Sequence, residues 1–258
     1  MLQLARDAVR YHELIWALAM KELKIRYKRS VLGFLWALLN PMLQCLVLTI
    51  VFSTVLRMNI WHYAIFLLSM ILPWTFFAQS VSYSAESIVG NGDLIKKVSV
   101  AKSVFPLAAV VSNLINFVLS LIPLALVVIA LRHPFHATWT LLPVPLLALT
   151  IFTVGATLFF AAANVFYRDI AHILQVVLQV WFYLTPILYS IDFFPAQWRW
   201  VFRLNPLIFV MNDFRMSVYW GKLPSIQSIG ASFVCAFIAL FVGLAVFRRY
   251  EDRFVFYV

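Results

Sequence analysis

Apolar and polar positions in this chain separate into long blocks, not into the short alternation of half-buried strands. Six stretches carry no Asp, Glu, Lys or Arg. They lie between Arg29 and Arg57, Arg57 and Glu86, Lys102 and Arg132, Arg132 and Arg168, Asp169 and Asp192, and Lys222 and Arg248. Each is long enough for the roughly 20 residues that carry an α-helix across a hydrocarbon core. The pattern predicts six transmembrane helices. The fourth is expected to begin near Leu141, after an external turn at "HPFHATW".

The stretch before the first block has a helical period. Leu4, Ala8, Tyr11, Ile15, Leu18 and Ile25 recur on one side, with Arg6, Arg10, Glu13, Lys21, Lys24 and Lys28 between them. This predicts an amphipathic interfacial helix over residues 1–30, basic side toward anionic headgroups. Residues 192–222 are too charged to cross a bilayer and too apolar for an ordinary loop. Asn205-Pro206 combines a capping residue with proline at the first helical position, and Trp198, Trp200 and Trp220 suit a membrane–water boundary. Two short re-entrant helices on the outer face are expected there. The last block carries Ala231, Cys235, Ala239 and Gly243 four apart. Such a ridge of small residues admits a closely approaching helix, in the same chain or in a second copy.

Composition agrees with this class. The chain is 64% hydrophobic and 12% charged, against about half and about a quarter in soluble domains. An all-α integral membrane protein follows, organised as one domain over residues 1–258. Charges crowd the first thirty positions, so no cleavable signal peptide is expected before the first span. With the N-terminus inside, the outer segments hold only Arg57, Arg132, Arg199, Arg203, Arg215 and Lys222, and all other Lys and Arg lie inside. The positive-inside rule then places both termini in the cytoplasm. The net charge of +10 reads as topology and headgroup attraction, not nucleic-acid binding.

Catalytic chemistry is hard to find. The six spans contain no ionisable acid or base, which argues against ion coupling and against a membrane-embedded transferase. His12, His62, His133, His136 and His172 fall at span edges or in loops; His133 and His136 are close, without an evident third ligand. Cys45 and Cys235 stand alone in apolar runs and read as small packing residues. No Gly-x-x-x-x-Gly-Lys-Ser/Thr sequence is present, so no phosphate-cradling loop for ATP is predicted. Energy for any work must come from another polypeptide.

Two features remain. Residues 86–103 form an inner loop in which Asn91-Gly92 signals a turn and Asp93 is expected to cap a short helix through Lys97. Lys96 and Lys97 then complement its C-terminal dipole, and a soluble partner has something to grip. Aromatics, 17% of the chain, lie inside spans as well as at their ends. Uncharged aromatic walls suit the apolar faces of sugar rings, and Asn40, Gln44, Asn113, Asn116, Gln175 and Gln179 can supply hydrogen bonds to a substrate or between helices.

Four blocks, "RYKRSVLGFLWALLNPMLQ", "GDLIKKVSVAKSVFPLAAVVSNLINF", "NVFYRDIAHILQVVLQVWFYLTPILYS" and "LNPL", resemble the permease subunits of ABC-2 polysaccharide exporters, in family order along the chain. The resemblance implies a permease subunit for O-antigen-like, lipid-linked polysaccharide in the bacterial inner membrane. It implies a homodimer bound to two ABC ATP-binding subunits, which hold ATP and Mg; this chain holds no cofactor or metal and is not itself an enzyme. Asp93, Leu94, Ile95, Lys96, Lys97 and Val98 would form the coupling helix. Tyr167, Arg168 and Asp169 would sit at the cytoplasmic mouth, Arg168 meeting a lipid diphosphate or forming a helix cap with Asp169. The first and fifth spans would line the path; Trp36, Asn40, Trp74, Phe77, Gln179, Trp181 and Tyr183 are the expected lining. Rival readings are an ABC-2 permease for a small molecule or drug, a membrane-bound acyl- or glycosyltransferase, and an ATP-independent channel.

Overall fold

The computed structural model describes residues 2–258 except Arg29, Val31, Leu56, Met58, Asn59 and Ser99, and only the backbone of Leu2, Gln3, Ala5, Phe34 and Arg203. Arg29, counted above among the inner cations, lies outside the described residues. The described residues are helical and contain no strand. Among the described residues, five helical stretches are long and apolar enough to cross a membrane: Trp36–Val55, Tyr63–Ser87, Val104–Ala130, Ala137–Phe166 and Ile226–Phe256. They are built on α3 (Trp36–Thr49), α4 (Tyr63–Ser87), α6 (Val104–Ala130), α7 (Pro143–Phe166) and α11 (Ile226–Tyr250). The block expected to supply the fifth of six spans folds instead as α8 (Ile170–Leu184), only 15 residues long. At 1.5 Å per residue it reaches about 22 Å, short of a core about 30 Å thick.

Helix α4 is the hub. Ile65 to Trp74 is buried without interruption, and the helix packs against α3, α6, α7, α8 and α10 (Pro206–Val218). A helix apolar on every side belongs in the centre of a bundle. The closest helix pair is α7 with α11. A β-carbon added at Gly243 would lie 1.9 Å from the Gly155 carbonyl oxygen, and one added at Gly155 would lie 2.3 Å from the Ala239 carbonyl carbon. The Ala239–Gly243 end of the small-residue ridge therefore serves α7 of the same chain, and its counterpart is Gly155.

The N-terminal segment is two helices, α1 (Leu2–Arg10) and α2 (His12–Tyr27), broken at Tyr11. Ile15, Ala19 and Leu23 form the buried stripe of α2, with Ile15 against Val104 and Ala108 of α6. Ile25, expected on that stripe, is exposed, because the stripe follows a strict i, i+4 ladder that Ile25 leaves. Glu22 accepts a 2.9 Å hydrogen bond from Ser112, and burial raises its carboxyl pKa above the ordinary range.

Both chain ends meet at one pole of the bundle. Leu4, Phe254 and Val258 share a cluster with Ile88 and Ile95, and Lys102 Nζ donates to the Glu251 carbonyl at 2.6 Å. At this pole lies α5 (Gly92–Lys97). The cap position of α5 is Asn91, whose amide donates to the Ser87 carbonyl at 2.7 Å and leaves the helix end uncapped by side chain. Asp93, expected as the cap, sits in the first turn, where its charge still favours the helix dipole.

At the opposite pole α9 (Arg199–Arg203) and α10 follow α8 as two short helices. Asn205 caps α10 as its sequence predicts, Oδ1 accepting from the Leu207 amide at 3.1 Å. The same side chain accepts from Trp181 Nε1 at 2.9 Å and donates to Thr185 Oγ1 at 2.9 Å, tying α10 to the end of α8.

Candidate functional site

Two clefts meet on the α3–α4 face. The first, about 370 Å³, lies where α2 enters α3, with α4 and α6 as its far wall. The second, about 360 Å³, lies between α4 and α8. Gln44, Thr75 and Gln79 line both, so they form one groove. Pro41 contributes locally: it lacks an N–H, and so leaves the carbonyl of Ala37, a lining residue, without its helical partner.

The groove wall is aromatic and amide-rich, and no Asp or Glu lines either cleft. Trp36, Phe76, Tyr83 and Phe117 alternate with Asn40, Gln44, Gln79, Asn113 and Asn116 in the first cleft. Among the described residues its single cation is Arg26. The guanidinium donates to Asn113 Oδ1 at 3.0 Å and sits 4.3 Å over the Tyr83 ring. Asn113 is held in turn by its bond to the Ala109 carbonyl at 2.9 Å. Tyr27 donates to Asn116 Oδ1 at 3.4 Å, and Asn116 Nδ2 is buried without a partner.

Five of the expected lining residues gather on this groove: Trp36 and Asn40 in the first cleft, Trp74, Gln179 and Tyr183 in the second. Phe77 is fully buried, packed on Phe152 and edge-on to Trp181. Trp181 is taken up by Phe77 and Asn205. Gln175 is exposed elsewhere on α8. Arg26, Tyr83, Thr75 and Gln79 were not legible as lining. Arg26 reads in sequence as one more inner-face cation.

Elsewhere the coupling residues divide by face. Ile95 is a buried anchor, while Asp93, Leu94, Lys96, Lys97 and Val98 are exposed around it. Tyr167, Arg168 and Asp169 form an exposed turn at the same pole, and Arg168 donates to the Tyr257 carbonyl at 2.9 Å. Asp169 occupies the cap position of α8 without capping it. Asn164 does that work, accepting from the Ala171 amide at 3.1 Å and donating to the Ala85 carbonyl at 2.9 Å. At the far pole His62 joins His133 and His136, a juxtaposition that sequence spacing does not reveal. Among the described residues, no group of His, Cys, Asp or Glu is arranged to hold a metal ion.

Two buried ionic groups stand on α10, within the segment expected to form short re-entrant helices. Arg215 is 5% exposed and donates to the carbonyls of Pro186 and Ile187 at 2.9 and 3.0 Å, its charge 3.7 Å over the Phe66 ring. Asp213, 1% exposed, accepts from Ser232 at 2.7 Å and from Ser228.

Residues 13–219 match the family described as ABC-2 type transporter. The chain belongs to the ABC-2 type transporter family. Among curated relatives, this family member is 36% identical over 258 residues to the O-antigen export system permease protein RfbA of Myxococcus xanthus, covering 98% of each chain. It is 33% identical to an O-antigen export system permease protein RfbA of Klebsiella pneumoniae, over 94% of this chain and 93% of the relative. It is 25% identical to the polysialic acid transport protein KpsM of Escherichia coli, over 92% and 93%. The acid-free groove of this ABC-2 chain thus occurs in a protein whose relatives are named for moving glycans.

Proposed function

We propose that this chain is the permease subunit of an ATP-driven exporter that moves O-antigen-like, lipid-linked polysaccharide across the bacterial inner membrane. The observation that carries the reading is the full-length similarity to O-antigen export permeases. The groove adds chemical sense: aromatic faces stack on pyranose rings and neutral amides bond hydroxyls, holding a sliding chain weakly. The subunit is a conduit; ATP and Mg belong to a separate ATP-binding subunit.

The assembly in this reading holds two copies of the chain and two ATP-binding subunits. Both termini face the cytoplasm, and the pole carrying α5 docks on the ATPase. Helices α3 and α8 face the second copy. They are the least covered of the apolar helices: α3 buries only Cys45, and α8 only Leu174 and Leu178. In this topology α8 crosses as a sixth span with the help of the segment after it. Thr185 to Leu188 is non-helical yet buried, and two of its carbonyls are met by Arg215, the condition under which irregular backbone is tolerated at membrane depth. Helices α9 and α10 then dip back from the outer face. ATP-driven closure of the partners pushes α5 and opens the seam between copies. Tyr167, Arg168 and Asp169 stand at the cytoplasmic mouth; an Arg168→Ala variant that exports polymer at the wild-type rate with normal ATPase turnover removes Arg168 from contact with the lipid phosphate.

The deciding experiment is export in proteoliposomes containing this chain and its ATP-binding subunit. Lipid-linked glycan should become accessible on the far side only with ATP and both subunits. Transport by this chain alone, or termini labelled from the extracytoplasmic side of intact cells, refutes the reading.

A further inference from the structure

The first cleft holds more than a sugar wall requires. Arg26, its only cation among the described residues, has no carboxylate among its lining neighbours. Glu22, one turn back on α2, feels the charge of Arg26 but spends its hydrogen bond on Ser112 and lies outside the cleft lining. Beside Arg26, Asn116 Nδ2 is buried with no acceptor. A guanidinium with donors to spare is matched by an oxyanion, a phosphate or carboxylate, more closely than by a hydroxyl. A buried amide without an acceptor carries a desolvation cost that a bound acceptor removes. Trp36, Tyr83 and Phe117 border the same space, and the cavity size falls within the range of small-molecule sites.

We propose that this cleft is a subsite for one anionic sugar unit. A phosphate or carboxylate oxygen lies on Arg26, a sugar oxygen accepts from Asn116, and the ring faces the aromatic wall. The assignment rests on the reading of the groove as a glycan path and adds to it a charge preference at the end nearest α2. It makes Arg26 a specificity-determining residue and not only a topology signal.

The test is a titration of the permease–ATPase complex in nanodiscs without nucleotide, followed by ligand-detected NMR. The probes are N-acetylglucosamine, N-acetylglucosamine 1-phosphate and glucuronic acid. The wild type should prefer the anionic sugars by about tenfold or more, the scale of one charge-assisted hydrogen bond. Arg26→Gln should erase that preference while leaving N-acetylglucosamine binding in place. Because Arg26→Gln also loses Asn113 and Tyr83 contacts, Asn116→Asp serves as a second variant. It keeps the acceptor for Tyr27, adds a negative charge to the cleft, and should abolish binding of the anionic probes selectively. An unchanged preference in both variants overturns the assignment and leaves the glycan path standing. If the wild type binds none of the three sugars, the glycan path falls with it. If phosphatidylglycerol displaces the sugar phosphate at equal concentration, the cleft is a lipid-headgroup site and the sugar assignment is overturned.

Discussion

The Nδ1 atoms of His62 and His133 lie 3.1 Å apart, and the other ring nitrogen of His133 lies 3.2 Å from the Tyr219 carbonyl. A carbonyl only accepts, so His133 Nε2 carries hydrogen. Its Nδ1 is then the acceptor and His62 Nδ1 the donor. The contact joins the start of α4, the loop after α6 and the end of α10, and with His133 neutral its Nδ1 lone pair is what receives the His62 N–H. The titratable groups facing His133 are His62 and His136, with Trp61 stacked on His62 and tilted against His133.

Burial pushes the His133 pKa below its ordinary value of about 6.5. A depressed histidine contributes stability above the unfolded value, and that contribution is lost as pH falls through the folded one. Thermal unfolding of the purified complex should therefore drop between neutral pH and about pH 5. His133→Gln should flatten that part of the profile. An identical acid slope in His133→Gln removes the latch.

Gly155 and Gly243 permit the α7–α11 contact through backbone proximity. Gly243→Ala should destabilise by about 1–3 kcal/mol, the usual cost of overpacking, because the nearest atom to the added methyl is backbone. Gly230, on the same helix, has nothing within 4 Å of an added β-carbon. Gly230→Ala should be neutral or slightly stabilising. Equal melting temperatures for the two variants contradict the close approach.

Arg215 holds the buried Thr185–Leu188 segment by forking onto two carbonyls. Lysine, a single flexible point charge, does not reproduce that fork. Arg215→Lys should cost about 1–3 kcal/mol, and Arg215→Met more, since it leaves both carbonyls unpaired. Limited proteolysis should cut earlier near residues 185–190 in both variants. Wild-type resistance in Arg215→Met refutes the anchoring role.

Leu94, on the exposed side of α5, should be an apolar contact for the ATP-binding subunit. Leu94→Asp is expected to reduce co-purification of that subunit about tenfold, the scale of a central interface residue. The buried anchor Ile95 is untouched, so the permease should keep its own melting temperature. Full recovery of the ATPase with Leu94→Asp places the docking surface elsewhere.

Hydropathy established the membrane class and the blocks that became α3, α4, α6, α7 and α11, and local turn, cap and proline signals established the loop helix at residues 92–97 and the start of α10 at Asn205-Pro206. These follow from local properties: a run apolar enough to leave water, and a cap or proline that starts a helix. The same reading expected a sixth long helix where α8 has 15 residues, because apolar content does not distinguish a full-length helix from a shorter one followed by buried irregular backbone. It made Asp93 a cap and put Ile25 on the buried stripe, because both assignments depend on helix register. Tertiary structure alone decided that Gly155 answers Gly243, that His62 reaches His133 across 71 residues, that Phe77 is core while Tyr183 lines the groove, and that Arg26 faces amides and rings while Arg215 is buried among carbonyls. The physical reason is that lipid tails are as apolar as the side chains, so no solvent force sets how each helix is rotated. Rotation comes from close packing and polar pairing between residues far apart in the chain, and the chemistry of the groove depends on it.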